Sequence, residues 1–147
     1  MAVDVETVAE IERPRSVVAE FATDPDNVTR WYKNIKSVEW ETAPPVAVGS
    51  RMAFVAHFLG RRLAYTYQVT ELDPQRRLVM STSQGPFPME TMYSWDDTSS
   101  GGTRMTLRNR GEPAGFSKLV APMMASAMRR ANRKDLARLK SVLEQSS

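Results

Sequence analysis

The first part of the chain alternates between apolar and polar side chains. From Val3 to Ile11, small or apolar residues occupy the odd positions and acidic residues occupy most of the even ones. A period of two is typical of a strand with one buried face, and only Val8 departs from it. We therefore predict a β-strand over residues 3–12.

Two helical segments and a second strand are predicted next. Pro14 suits the first turn of a helix, whose apolar face contains Val17 and Val18. After the turn-forming run at residues 24–27, a second short helix is predicted to carry Trp31 and Ile35. Residues 37–42 predict the second strand.

Residues 51–110 predict five strands joined by four turns, and the turns determine how the strands pair. The predicted turns lie at Gly60-Arg61, Asp73–Arg76, Gly85-Pro86 and Asp97–Gly102. They pair Phe54 with Tyr67, Val69 with Met80, Met80 with Thr91, and Tyr93 with Met105. Because side chains alternate along a strand, these pairings place one mainly apolar set on a single face. That face holds Phe54, Phe58, Leu63, Tyr65, Tyr67, Val69, Met80, Met89, Thr91, Tyr93, Trp95, Met105 and Leu107.

The opposite face of the predicted sheet is polar. It holds Arg51, His57, Arg62, Gln68, Arg77, Ser81, Glu90, Arg104, Arg108 and Arg110. The same register predicts an ion pair between Glu90 and Arg108, and it leaves Glu71 as the only carboxylate on the apolar face. A sheet with these two faces is exposed to water on one side and packed on the other.

The chain after Gly115 is predicted to be helical to near Glu144. Apolar side chains fall in one sector of its second half: Met128, Ala131, Leu136, Leu139, Val142 and Leu143. Basic side chains fall in the other sector: Arg129, Arg130, Arg133, Lys134, Arg138 and Lys140. One long amphipathic helix has a single large apolar surface to meet, so we expect it to pack across the apolar face of the sheet.

Length and composition narrow the class of protein. At 147 residues, we expect one domain over residues 1–147. The absence of cysteine excludes disulfides and thiolate catalysis, and a single histidine makes a zinc site implausible, so no metal and no cofactor are expected. No apolar run is long enough to span a bilayer, and the N-terminus does not resemble a secretory signal. We therefore expect a cytoplasmic protein without stable membrane insertion.

The basic face of the last helix raises the question of an anionic partner. It lacks interleaved exposed aromatic residues and matches no nucleic-acid-binding motif, so we interpret it as a solvated surface and expect no nucleic-acid partner. The oligomeric state is left open, with a homodimer as one alternative.

Several short motifs follow one another along the chain in a recognisable order. They are Ile11-Glu12-Arg13-Pro14, Asp24-Pro25-Asp26-Asn27 followed by Trp31, Val48-Gly49-Ser50, Glu71-Leu72-Asp73-Pro74, Gly102-Thr103-Arg104 and Leu136-Ala137-Arg138-Leu139-Lys140. Together they cover nearly the whole chain, which resembles the START-like superfamily (SRPBCC), in particular its polyketide cyclase/dehydrase and lipid-transport branch. The resemblance implies an α+β helix-grip fold: a seven-stranded curved antiparallel sheet wrapped around a long C-terminal helix, with two short helices after strand one. It also implies a cavity for sterols, polyketides, lipids or other apolar molecules, but no particular reaction.

Candidate chemistry on the predicted inner face is limited to a few side chains. The face offers tyrosine and threonine hydroxyls, whereas His57 lies on the outer face, which excludes a histidine-centred triad. Tyr65 and Tyr93 either pack as core residues or orient a ligand. Asn132 and Asp135 interrupt the apolar sector of the last helix, where a carboxylate needs an arginine, a backbone donor or water at a cavity mouth. No catalytic residue is assigned; Asp135, Tyr65 and Tyr93 are the candidates.

Two functions from different classes follow. The first is binding of an apolar small molecule as a carrier or sensor, and the alternative is a polyketide aromatase/cyclase or dehydratase using the same cavity. A third hypothesis is an interaction module whose interior is merely core. An open cavity with an acid beside the tyrosines favours the enzyme, and a filled interior favours the third hypothesis. The predicted ligand-binding residues are Trp31, Phe54, Phe58, Tyr65, Tyr67, Met80, Met89, Tyr93, Met105, Met124 and Met128.

Overall fold

A computed structural model describes residues 3–58, 60–84, 88–111 and 121–145 of the chain. The elements, in chain order, are β1 (Val3–Ile11), α1 (Arg15–Thr23), a 3₁₀ turn (Pro25–Asn27), α2 (Val28–Trp31), β2 (Ile35–Trp40), β3 (Arg51–Phe58), β4 (Arg61–Asp73), β5 (Arg77–Gln84), β6 (Met89–Asp97), β7 (Thr103–Gly111) and α3 (Ala121–Gln145).

The strands form one curved antiparallel sheet of seven strands in the order β1-β7-β6-β5-β4-β3-β2. β3 to β7 are a meander, as predicted, and α1 and α2 carry the chain from β1 at one edge to β2 at the other. α3 packs along β1 and contacts α2, so it lies on the concave side of the sheet. The predicted fold is confirmed: a curved sheet around a long C-terminal helix, with short helices after strand one.

The faces of the sheet are also as predicted, except near the end of β4. Tyr67 and Tyr93 are buried toward α3, whereas His57 and Arg104 are exposed on the outer side. Two of the predicted registers are confirmed, because Val69 pairs with Met80 and Met80 pairs with Thr91. The turn predicted at Gly85-Pro86 lies outside the described residues.

The other two predicted registers are wrong by two residues. Phe54 pairs with Tyr65 rather than Tyr67, because the strands already pair at Phe58 and Arg61. Tyr93 pairs with Leu107 rather than Met105. A shift of two residues moves partners along the strand but leaves every side chain on its face.

The predicted ion pair between Glu90 and Arg108 is therefore wrong. Glu90 pairs across the strands with Arg110, and their side chains form an ion pair. Arg108 instead binds Asp4 of β1 with two parallel hydrogen bonds, of 2.9 Å from Nε and 2.7 Å from Nη2. Because the β6–β7 register differs from the predicted one, Arg108 does not lie opposite Glu90 and pairs with Asp4 on the edge strand β1.

An irregularity in β4 changes which residues face inward near its end. The register shifts between Val69 and Glu71, so that Leu72 pairs with Leu78 and both pack toward the core. Glu71, predicted to face inward, is exposed and lies 2.9 Å from the guanidinium of Arg77. A β-bulge of this kind reverses the alternation downstream of it.

Element boundaries differ from the prediction at the second helix and the second strand. Ile35, predicted in the second helix, begins β2, which covers Ile35–Trp40 rather than residues 37–42. Residues 116–120, predicted as the start of the last helix, lie outside the described residues. Within α3, Leu136, Leu139 and Leu143 are buried, while its basic residues lie on the outer surface. None of the helices in the described ranges is long and apolar enough to cross a lipid bilayer.

Candidate ligand site between the sheet and helix α3

A partly enclosed cavity of about 140 Å³ lies between the concave face of the sheet and α3. The sheet lines it with Met52, Phe54, Ala56, Phe58, Leu63, Tyr65, Tyr67, Leu78, Met80, Met89, Thr91, Tyr93 and Asn109. α3 contributes Met124, Met128, Ala131, Asn132 and Asp135, and the segment from α1 to β2 contributes Ala22, Thr23, Pro25, Val28, Tyr32, Asn34 and Ile35. Most of these side chains are apolar, as expected of a small-molecule site.

Most of the side chains predicted to contact a ligand line this cavity. They are Phe54, Phe58, Tyr65, Tyr67, Met80, Met89, Tyr93, Met124 and Met128, together with the candidate acid Asp135. Trp31 and Met105 do not line it, because both are fully buried in the core. Trp31 packs behind Tyr32, with ring centroids 4.1 Å apart, so the tyrosine takes the position expected for the tryptophan.

Three aromatic rings form one part of the sheet wall. Phe54 stacks on Tyr65 with ring centroids 5.5 Å apart and planes 16° from parallel. Tyr67 meets both rings edge-on, at 5.6 Å from Phe54 and 5.1 Å from Tyr65. Offset stacking and edge-to-face contacts are the favoured arrangements of aromatic rings, so this wall is firmly held.

A hydrogen-bonded chain connects this wall to the middle of the sheet. The hydroxyl of Thr91 donates to Oδ1 of Asn109 at 2.7 Å, so it accepts the proton of the Tyr67 hydroxyl at 2.6 Å. Burial raises the pKa of Tyr67 to about 12, although the bond to Thr91 opposes the increase. Because its proton is already donated, Tyr67 offers the cavity only an acceptor.

Two further tyrosine hydroxyls meet near the end of α2. Oη of Tyr32 and Oη of Tyr93 lie 2.8 Å apart in a single hydrogen bond. Burial raises the pKa of both phenols above their ordinary value, and the nearby negative charge of Asp135 raises it further. Both hydroxyls therefore remain protonated at physiological pH.

Asp135 brings a carboxylate to the same end of the cavity. Its side chain is only 3% exposed, and Oδ1 accepts a hydrogen bond from the backbone N–H of Lys33 at 3.1 Å. Burial raises the pKa of Asp135 to about 6, against the opposing effects of that bond and of the positive charges of Arg138 and Lys33. Of the partners expected from sequence, the backbone donor is the one observed.

Asn132 lies three positions before Asp135 on α3 and is 4% exposed. Its Nδ2 is buried without a hydrogen-bond partner in the part of the chain that the structure describes. Residues three apart share one face of a helix, so the amide and the carboxylate are neighbours. The sequence singled out Asn132 as an interruption of the apolar sector but not as a lining residue.

Sequence reasoning missed several other lining residues. Tyr32 and Ile35 were missed because a short helix and a strand start cannot be separated by period alone over so few residues. Leu78 lies two residues before Met80 on β5, so alternation places it on the inner face, although the predicted set omitted it. Within the described ranges, no group of three or more histidine, cysteine, aspartate or glutamate side chains could hold a metal ion.

The amino-acid sequence matches the model of one known protein family. Residues 2–144 match the family model described as polyketide cyclase / dehydrase and lipid transport. The chain belongs to this family. Family membership and the fold together favour hydrophobic ligand binding or a polyketide cyclase-type function. No curated protein sequence matches the chain.

Solved structures with the same fold include proteins of different kinds. The protein TTHA0849 of Thermus thermophilus is 21% identical, with a TM-score of 0.84 over 98% of this chain and 99% of that one. A START superfamily protein of Mycobacterium smegmatis is 14% identical, with a TM-score of 0.83 over 98% and 99%. The Zhui aromatase/cyclase of Streptomyces sp. R1128 is 14% identical, with a TM-score of 0.82 over 99% and 95%. At these identities the likeness shows the shared fold.

Proposed function

We propose that the protein binds an apolar small molecule, such as a lipid, a polyketide or another polycyclic compound, between the sheet and α3, as a carrier or sensor. The observation that carries the proposal is the cavity of about 140 Å³ with mainly apolar walls. Protein interiors are normally packed to the density of organic crystals, so such a space is unusual in a plain core. An apolar cavity of about 150 Å³ is large enough to hold benzene.

The two ends of the cavity differ in polarity, and this difference predicts how a ligand is oriented. Along α3 the lining residues run from Met124 to Asp135, a length of about 16 Å at 1.5 Å per residue. Met124 packs in a cluster with Phe58 and Met89, so that end is apolar. Flexible thioethers adapt to ligands of different shape. The ligand expected here has an apolar body that points toward the methionines and a polar group near Asp135.

Burial of the apolar body supplies the binding energy. At about 25 cal/mol per Å², covering about 300 Å² contributes about 7 kcal/mol before the entropic cost of association. A dissociation constant of 1 μM corresponds to about 8 kcal/mol, so burial of this area does not reach micromolar affinity alone, and polar contacts at the Asp135 end have to add to it.

The test is equilibrium binding of a neutral hydrophobic fluorophore, N-phenyl-1-naphthylamine, to the protein and to two matched variants. Ala131 lines the cavity on α3, whereas Ala137 lies on the exposed side of the same helix. We expect saturable binding that Ala131→Leu weakens at least tenfold and Ala137→Leu leaves unchanged. Absence of saturable binding to folded protein, or equal effects of the two variants, would contradict the proposal. Native mass spectrometry of protein from its own host would then identify the ligand class.

A second candidate function is catalysis of a polyketide cyclisation or dehydration, favoured by Asp135. A buried carboxyl whose pKa lies near 6 suits proton transfer near neutral pH. In this role Asp135 removes a proton next to a ligand carbonyl, and the Tyr32–Tyr93 pair stabilises the developing negative charge on its oxygen. The test is turnover of a poly-β-ketone thioester followed by mass spectrometry. A cyclase gives an isomer of equal mass, separated by chromatography, and a dehydratase releases water from the substrate. Either activity is lost in Asp135→Asn while the substrate still binds, whereas a carrier returns the substrate unchanged.

A further inference from the structure

The charged groups around the cavity differ in whether they have an ion-pair partner. Glu90 and Arg110 both line it, but they are ion-paired with each other. Asp135 has no ion-pair partner within the described ranges, and only Oδ1 accepts a hydrogen bond there, from the backbone of Lys33. The cavity therefore presents one open carboxylate oxygen and no unpaired cation among the described lining residues.

The two tyrosines at this end have one proton to spare. Tyr32 and Tyr93 have two hydroxyl protons between them, and the single hydrogen bond that joins them uses one. Neither hydroxyl has another partner in the described part of the chain. Asp135 lies at the same end of the cavity, because its Oδ1 accepts a hydrogen bond from the backbone N–H of Lys33, the residue after Tyr32. One spare donor and one spare acceptor thus face the same end of the cavity.

We propose that this polar end, formed by Tyr32, Tyr93, Asp135 and Asn132, selects an uncharged hydroxyl group, phenolic or alcoholic, on an otherwise apolar ligand. The hydroxyl donates to the free oxygen of Asp135 and accepts the spare proton of the tyrosine pair. The unpartnered amide of Asn132 is available beside it. This inference rests on the proposed ligand binding and specifies its chemistry.

Other polar groups satisfy this end less well. A ketone accepts the tyrosine proton but leaves Asp135 without a donor, and a hydrocarbon leaves both groups unpaired, which is costly in a buried site. A carboxylate is repelled by Asp135, and the positive charges that act on Asp135, those of Arg138 and Lys33, do not line the cavity. An ammonium pairs with Asp135 but has no acceptor for the tyrosine proton.

The experiment compares four ligands of one shape near neutral pH: naphthalene, 2-naphthol, 2-naphthoate and 2-naphthylmethylammonium. Isothermal titration is expected to show 2-naphthol binding about tenfold more tightly than naphthalene and at least tenfold more tightly than either ion. Saturable but equal binding of naphthalene and 2-naphthol, or tightest binding of an ion, overturns the hydroxyl preference while leaving the proposed function intact. No binding of any ligand overturns both.

Variants separate the two hydrogen bonds. Asp135→Asn keeps the shape and an acceptor for Lys33 but removes the charge, so the discrimination against 2-naphthoate is expected to fall at least tenfold. Asp96→Asn, on the exposed outer side of β6, is the matched control and should change nothing. Tyr32→Phe and Tyr93→Phe each leave one hydroxyl proton, so only the double variant should lose the preference for 2-naphthol over naphthalene. Full selectivity in both Asp135→Asn and the folded double variant would refute the assignment.

Discussion

The buried carboxyl of Asp135 makes a specific prediction about stability and pH. Its pKa is raised from an ordinary 3.8 to about 6, chiefly because burial disfavours the charged form. Between these two values the folded protein holds a proton that the unfolded chain has already lost. The contribution of this group to the free energy of unfolding is therefore fully present below about pH 4 and lost as the pH rises through about 6.

The size of the effect follows from the shift. One pKa unit corresponds to about 1.4 kcal/mol, so a rise of about two units is worth up to about 3 kcal/mol. Asp135→Asn is neutral at every pH and lacks this dependence. Relative to wild type, the variant is therefore expected to gain up to about 3 kcal/mol of stability between pH 4 and pH 7.

Urea denaturation of both proteins at several pH values measures this difference. The comparison is needed because Asp4 and Glu144 have lowered pKa values. Their contribution to the free energy of unfolding is lost as the pH falls, whereas that of Asp135 is lost as the pH rises. Their contributions are the same in both proteins and cancel in the difference. A constant difference between Asp135→Asn and wild type would show that the carboxyl is not desolvated as the structure indicates.

Three further predictions concern packing and charge. Phe54→Ala should lower the free energy of unfolding, measured by urea denaturation, by about 3 kcal/mol. This loss is at the lower end for a buried aromatic residue, because one side of the ring already faces the cavity. A loss below about 1 kcal/mol would contradict the packing. Asp4→Asn should cost only about 0–1 kcal/mol, and less at high salt, because its partner Arg108 is partly exposed; a salt-independent loss would count against this view. Gly102→Ala should cost about 1–3 kcal/mol, because its Cβ would lie 2.7 Å from the carbonyl oxygen of Ile11; unchanged stability would show that the backbone yields easily.

The faces of the sheet could be predicted from sequence because they depend only on the period of two. The register errors at β3–β4 and β6–β7 were each of two residues, so Phe54 and Tyr93 still faced inward with the wrong partners. Register depends on turn conformation, and Gly60 and Gly101, with φ of +75° and +84°, occupy turn positions that the apolar pattern does not reveal.

The polar end of the cavity was predictable only in part. Asn132 and Asp135 stood out because they interrupt an apolar helix sector. Their neighbours Tyr32, which directly follows α2, and Tyr93, on β6, are far from them in sequence. The packing of α2 against α3 brings Tyr32 to Asp135, and the contact between the two hydroxyls adds Tyr93. Pairwise geometry of that kind leaves no periodic signal in the chain.

The central claim, that a ligand occupies the space between the sheet and α3, is tested most directly by NMR of methyl-labelled methionines. The methionines lining the cavity are Met52, Met80, Met89, Met124 and Met128, whereas Met92, Met105 and Met123 lie elsewhere. Addition of N-phenyl-1-naphthylamine is expected to shift the methyl signals of the lining set in a saturable manner. The signals of Met92, on the outer side of β6, and of Met123, 69% exposed on α3, should stay in place. Shifts confined to Met92 and Met123, or no saturable shift in the lining set, would contradict the account.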